Sequence, residues 1–252
     1  GGGAICLSGG RFIDEDGNYT GNQSAAQGGA IKVEFADVIL SGSTFQLNHS
    51  SYSGGAGHVL DSNLSMQDCR FLSNVSAGNT GGALHLENLS HFQDANSLYQ
   101  SNSAEYGGGA LRIVNSNGLL TSAVFHGNLN PTWNGGGALS LENASPTLTN
   151  CEFSENRTLA NSYGGAIRMS ASSPIITGSV FSQNQSVINS GGAIHFDASS
   201  QPIFNENEFR YNSSAQFGGA IFAENHLELN GGILLGNSAE YGGGLAMQGS
   251  YA

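Results

Sequence analysis

The sequence predicts an all-β fold, a single-stranded parallel β-helix (solenoid) with about nine rungs of 25–28 residues, and three observations predict it. First, Gly-Gly-Ala followed by Ile or Leu recurs along the chain. It begins at Gly2, Gly28, Gly81, Gly108, Gly136, Gly164, Gly191 and Gly218, with degenerate copies at Gly54 and Gly243. Second, an aromatic residue, two variable residues and Asn precede each glycine pair: Phe45/Asn48, Phe71/Asn74, Tyr99/Asn102, Phe125/Asn128, Phe153/Asn156, Phe181/Asn184 and Phe209/Asn212. Tyr19/Asn22 and Leu234/Asn237 are looser end copies. Third, apolar residues alternate with period two after each glycine pair, and helical periodicity is absent. A unit this short cannot bury an apolar face by itself, so the units must stack.

Each unit reads as three strands. The first follows Gly-Gly-Ala and points pairs such as Leu84/Leu86, Leu111/Ile113 and Leu139/Leu141 inward. The second ends at a Gly, Asp or Asn bend (Gly42, Asp68, Asn150, Gly178). The third carries the aromatic residue, after which Asn and the glycine pair turn the corner. Stacking at ~4.8 Å turns sequence columns into ladders. The aromatics become one internal stack. Asn22, Asn48, Asn74, Asn102, Asn128, Asn156, Asn184, Asn212 and Asn237 become a structural amide ladder, each side chain bonding the next rung. Glycine supplies positive φ and close backbone approach at the corner. Residues 1–252 read as one repeat domain. Neither end shows a polar capping rung, so the expectation is a piece of a longer chain or a subunit that stacks into a fibre.

Composition narrows the function classes. Nineteen Asp and Glu against seven Lys and Arg give a net charge of −12, which disfavours a nucleic-acid partner. No apolar run is long enough for a transmembrane segment. Cys6, Cys69 and Cys151 form no metal-ligand pattern. Cys69 and Cys151 share a column three rungs apart, too far for a disulfide, while Cys6 faces outward. Ten N-x-S/T sequons, low lysine and low charge suit an exported protein. Six of those sequons use ladder asparagines, whose amides would be tied up inside the coil. The glycosylation candidates are therefore Asn18, Asn63, Asn88 and Asn143.

The same columns order the surface chemistry. Glycoside hydrolysis needs two facing carboxylates. The best pair, Glu87 and Glu142, lies two rungs apart with Val114 between, so no catalytic residue is assigned. Asp14-Glu15-Asp16-Gly17-Asn18 lacks the terminal Glu of a calcium loop and reads as an acidic turn. An outward column runs Cys6, Lys32, His58, His85, Arg112, Ser140, Arg168, His195, Phe222 beside an acidic one containing Glu34, Glu87, Glu142, Asp197 and Glu224. It reads as charge compensation on a solvated face, with a docking face or a pH response through the histidines as the sharper reading. His58 and His85 are adjacent but lack further ligands, so no metal and no cofactor is expected. Tyr52, Tyr106, Trp133, Tyr163, Phe217 and Tyr241, just before the glycine pairs, form a candidate surface binding ridge for sugar rings or a neighbouring protein.

Gly-Gly-Ala-Ile/Leu alternating with Phe-x-x-Asn resembles the repeats of the chlamydial polymorphic membrane proteins over essentially the whole chain. The resemblance implies a right-handed parallel β-helix displayed at a cell surface, like an autotransporter passenger, and a part in adhesion. The expectation is thus a non-catalytic, extracellular structural or adhesive rod. Its partners would be itself, stacked head-to-tail, or a host or cell-surface protein or glycan. The alternative is a polysaccharide-active β-helix (lyase- or hydrolase-like) or a carbohydrate-binding surface module. No regular Thr column supports an ice-binding solenoid.

Overall fold

The computed structural model describes residues 2–249; Gly1 and 250–252 of the predicted domain lie outside them. Among the described residues all the regular elements are β-strands, stacked in parallel sheets of 10, 9, 9 and 8 strands. One rung shows the plan: Leu84–Glu87, His91–Ala95, Leu98–Gln100 and Ser103–Tyr106, one strand in each sheet. The fourth strand corrects the expected three. It follows the ladder Asn and is often only two residues long, as in Leu129–Asn130, too short to show a period of two.

Corners are made by single residues in the left-handed region. In the same rung these are Asn88 (φ 55), Asn96 (φ 57) and Ser101 (φ 56). Small polar side chains tolerate that conformation best. The glycine pair is needed for two different reasons. Gly81 has φ 69, and its neighbour Gly82 would place a Cβ 2.0 Å from the carbonyl oxygen of Gly109 in the next rung. The first glycine answers to its own backbone and the second to the rung above.

The last repeat starts one residue earlier than the sequence suggested. Leu245–Met247 pairs in register with Ile221–Ala223, so Leu245 takes the Ile position. Gly242, with φ 64, is then the first glycine, not Gly243. A run of three glycines had hidden the phase.

The core is built from in-register columns. Rings from Tyr19 through Phe45, Phe71, Tyr99, Phe125, Phe153 and Phe181 to Phe209 lie 4.6–5.0 Å apart and within 9° of parallel. Beside them runs a continuous amide ladder. The Asn128 side chain donates to Asn156 Oδ1 (2.9 Å) and to the carbonyl of Tyr99 (2.9 Å). Its Oδ1 accepts from the backbone N–H and the side-chain amide of Asn102, at 2.9 and 3.1 Å. The pattern repeats from Asn22 to Asn237. Cys69 and Cys151 are buried and unpaired, whereas Cys6 is exposed. Burial pushes both inner thiols up to about 11.

A carboxyl group lies inside this apolar stack. Asp94 occupies an inward position of the second sheet, in register with Met66 and Leu120, and is 1% exposed. Tyr99, five residues on, donates its hydroxyl to Asp94 Oδ2 at 2.8 Å. Tyr19 likewise stands five residues after an aspartate, Asp14, in the same two columns. In the rungs from Phe45 to Phe209 whose ring is Phe, the residue five positions earlier is Leu40, Met66, Leu120, Leu148, Ile176 or Phe204. Tyrosine thus appears in the aromatic column where Asp stands five residues earlier. A reading of carboxylates along surface columns does not reveal this core pair.

Two predictions follow from the interior. Asn128→Ala orphans the Asn102 backbone N–H and leaves its side-chain amide with the Phe71 carbonyl alone, and should cost at least about 2 kcal/mol in denaturant unfolding. The exposed Asn18→Ala, outside the left-handed corners, should stay within about 0.5 kcal/mol; equal effects would remove the ladder's role in stability. Burial raises the Asp94 carboxyl to about 6, so the fold favours its protonated form. Its contribution is complete below about pH 4 and is lost as pH rises through 6. Asp94→Asn should therefore leave stability unchanged at pH 4 and raise it by roughly 2–3 kcal/mol at pH 8. A pH-independent difference between variant and wild type would refute the assignment.

Candidate interaction face

The outer surface of the first sheet carries two neighbouring columns. Lys32, His58, His85, Arg112, Ser140, Arg168, His195 and Phe222 stand in continuous register. The expectation that this column is solvated needs correction. His58, His85 and His195 are only 2%, 5% and 3% exposed. The segments leading into the glycine pairs fold back over them. Thr80 Oγ1 bonds His85 Nδ1, and the Tyr163 ring stacks 4.7 Å from the His195 ring. His58 and His85 stack on each other with centroids 4.9 Å apart.

Burial penalises a charged imidazole. It pushes His58 down to about 3, helped by neighbouring His85, and lowers His85 and His195 as well. A titration near neutral pH through these three histidines is therefore not what this face offers.

The aromatic ridge divides in two. Tyr52, Tyr106, Trp133 and Tyr241 are 54%, 40%, 49% and 56% exposed. Tyr163 and Phe217 are half-buried and turn onto the first sheet, Phe217 lying 5.6 Å from Phe222. Tyr106 and Trp133 are bridge partners in adjacent rungs. Beside them, Tyr106, Arg112, Asn134, Ser140, Glu142 and Arg168 line a cleft of ≈ 230 Å³. The Arg168 Nε there is buried without a hydrogen-bond partner.

The acidic column is mostly engaged. Lys32 pairs with Glu34 at 2.8 Å, His85 with Glu87 at 3.4 Å, Arg112 with Glu142, and His195 with Glu224 at 3.0 Å. Glu87 and Glu142 remain two rungs apart, Val114 between them. The hydrogen bond with His85 holds the Glu87 carboxyl below its ordinary range, the opposite of what a general acid needs. The fold adds one thing the sequence reading missed. Glu87 follows His85 by two residues and joins His58 and His85 in a cluster whose ligand atoms lie within 4.8 Å of one another. The i, i+2 spacing across a column of two histidines was the available signal.

The acidic turn is a corner between the second and third sheets. Asp14 accepts from Ser43 Oγ at 2.6 Å, and Asp16 takes the left-handed position with φ 55. Among the glycosylation candidates, Asn18, Asn88 and Asn143 are exposed. Asn63 is half-buried and its amide donates to Asp37 Oδ1 at 2.7 Å. The ladder sequons at Asn48, Asn74, Asn156, Asn184 and Asn212 are 0–1% exposed, and Asn22 is half-buried.

Compared with known proteins, a family model described as a right-handed β-helix region matches residues 82–251. No curated protein and no solved structure matches the chain.

Proposed function

This chain belongs to the right-handed β-helix family, and we propose that within it the chain is a non-catalytic structural or adhesive rod working outside the cell. The rod would stand at a cell surface or assemble head-to-tail. One observation carries the adhesive reading: Tyr106 and Trp133 stand exposed on adjacent rungs beside the cleft holding Arg112 and Arg168. Flat rings with polar tips suit sugar rings or a partner's surface. The resemblance to chlamydial polymorphic membrane proteins supports the same role. The exposed sequons and the low charge support an extracellular setting.

The competing reading, a polysaccharide-active β-helix, would require Glu87 and Glu142 to leave His85 and Arg112 and act as a catalytic pair. It is tested by incubating the chain with acidic and neutral polysaccharides and following new reducing or unsaturated ends. Turnover would overturn the non-catalytic assignment.

For the adhesive reading, Tyr106→Ser with Trp133→Ser should reduce binding to glycan arrays and cell surfaces at least tenfold, with the melting temperature held within a few degrees. Unchanged binding would exclude the ridge. For the extracellular reading, glycopeptide mass spectrometry of material from a glycosylating host should find sugar at Asn18, Asn88 and Asn143. Sugar on Asn156 or Asn184 in folded protein would contradict the buried ladder.

A further inference from the structure

We propose that His58, His85 and Glu87 form a binding site for a divalent transition-metal cation of the zinc type, joining two adjacent rungs. The parallel register sets His58 directly beside His85, and the strand spacing stacks their rings 4.9 Å apart and 14° from parallel. Glu87 projects from the same face as His85, two residues along the strand. One ligand atom from each residue lies within 4.8 Å of the other two.

The donor set chooses the ion. Two imidazoles and one carboxylate match Zn²⁺ and its neighbours, whereas Ca²⁺ and Mg²⁺ prefer all-oxygen shells. Three protein ligands leave a fourth tetrahedral position for water. The surroundings leave these groups free to serve. The cations flanking them in the column have carboxylates of their own, Lys32 with Glu34 and Arg112 with Glu142. Glu87 therefore has His85 as its side-chain partner, at a long 3.4 Å. His58 Nδ1 is buried with no hydrogen-bond partner, an arrangement that costs free energy unless something else satisfies the ring.

Thr80 supplies the outer contact. Its hydroxyl meets His85 Nδ1 and can accept from an Nδ1–H, which leaves Nε2 as the ligand. Such contacts orient metal-binding imidazoles. Ligand atoms on one tetrahedral Zn²⁺ lie about 3.4 Å apart, so binding must draw the three groups together. Glu87, with its side chain 37% exposed, can swing to do so, and the stacked rings need only tilt.

The test is titration of the metal-free full chain with Co²⁺ and then Zn²⁺. The expected result is one equivalent bound per chain, with tetrahedral Co²⁺ absorption bands that Zn²⁺ abolishes and a melting temperature that rises with Zn²⁺ concentration. Glu87→Gln and His58→Gln should each weaken binding at least tenfold, and the exposed His91→Gln should leave it unchanged. Absence of saturable binding overturns the proposal, as does equal affinity in Glu87→Gln, which would assign the metal to other surface histidines. Should His58→Gln fail to fold, the part-exposed Glu87→Gln decides.

Discussion

The backbone hydrogen bond between parallel strands is the interaction on which everything else here depends. It fixes the distance from one rung to the next, and every recurring side chain must interact at that distance or not at all. Aromatic rings meet the demand as parallel stacks, with centroids 4.6–5.0 Å apart, inside the range that ring pairs favour. Asparagine meets the same demand through hydrogen bonds. Its amide is long enough to reach the next rung while also holding the carbonyl of the preceding aromatic. The second glycine of each pair meets it by having no side chain at all.

Asp94 shows what happens when one column member changes. A carboxyl in the apolar stack would be costly alone, and Tyr99 rather than Phe stands within reach of it. The pair trades apolar burial for a hydrogen bond from the tyrosine hydroxyl, while burial, not that bond, favours the protonated carboxyl. On the outer face the same logic runs in reverse: charged side chains at successive levels find partners two residues along the strand, as Lys32 does with Glu34, or in a neighbouring rung, as Arg112 does with Glu142. Where no partner falls at the right level, as for His58 Nδ1 and Arg168 Nε, the groups are left unsatisfied. Those are the places where something outside the chain has most to gain by binding.

The fold was readable because its determinants repeat. Two markers in fixed order, Gly-Gly-Ala and aromatic-x-x-Asn, are enough to stack the coil and to locate the ladder asparagines. What escaped the reading was whatever departs from the period. The covering segments before the glycine pairs differ in length from rung to rung, so no column arithmetic could show that Thr80 and Tyr163 would bury His85 and His195. The two-residue fourth strands carry no alternation to detect. The register of the last rung was masked by Gly242, Gly243 and Gly244, three equivalent residues in a row. The Asp94–Tyr99 pair was legible in principle, since both residues sit in columns already defined, but only by comparing one column with another.

The overlap of the Asn ladder with N-x-S/T sequons has a consequence for biosynthesis. A sequon is recognised on extended chain, before the coil exists. During synthesis in a glycosylating compartment, Asn156 and Asn184 would each be available to the transferase until their rung closes. Folding and modification are then in a race, and rung closure must win it at every buried site. A single early transfer would leave a sugar where the next rung has to land, and the growing coil would stop there. In a compartment without the transferase, no such race exists and these asparagines serve the ladder alone.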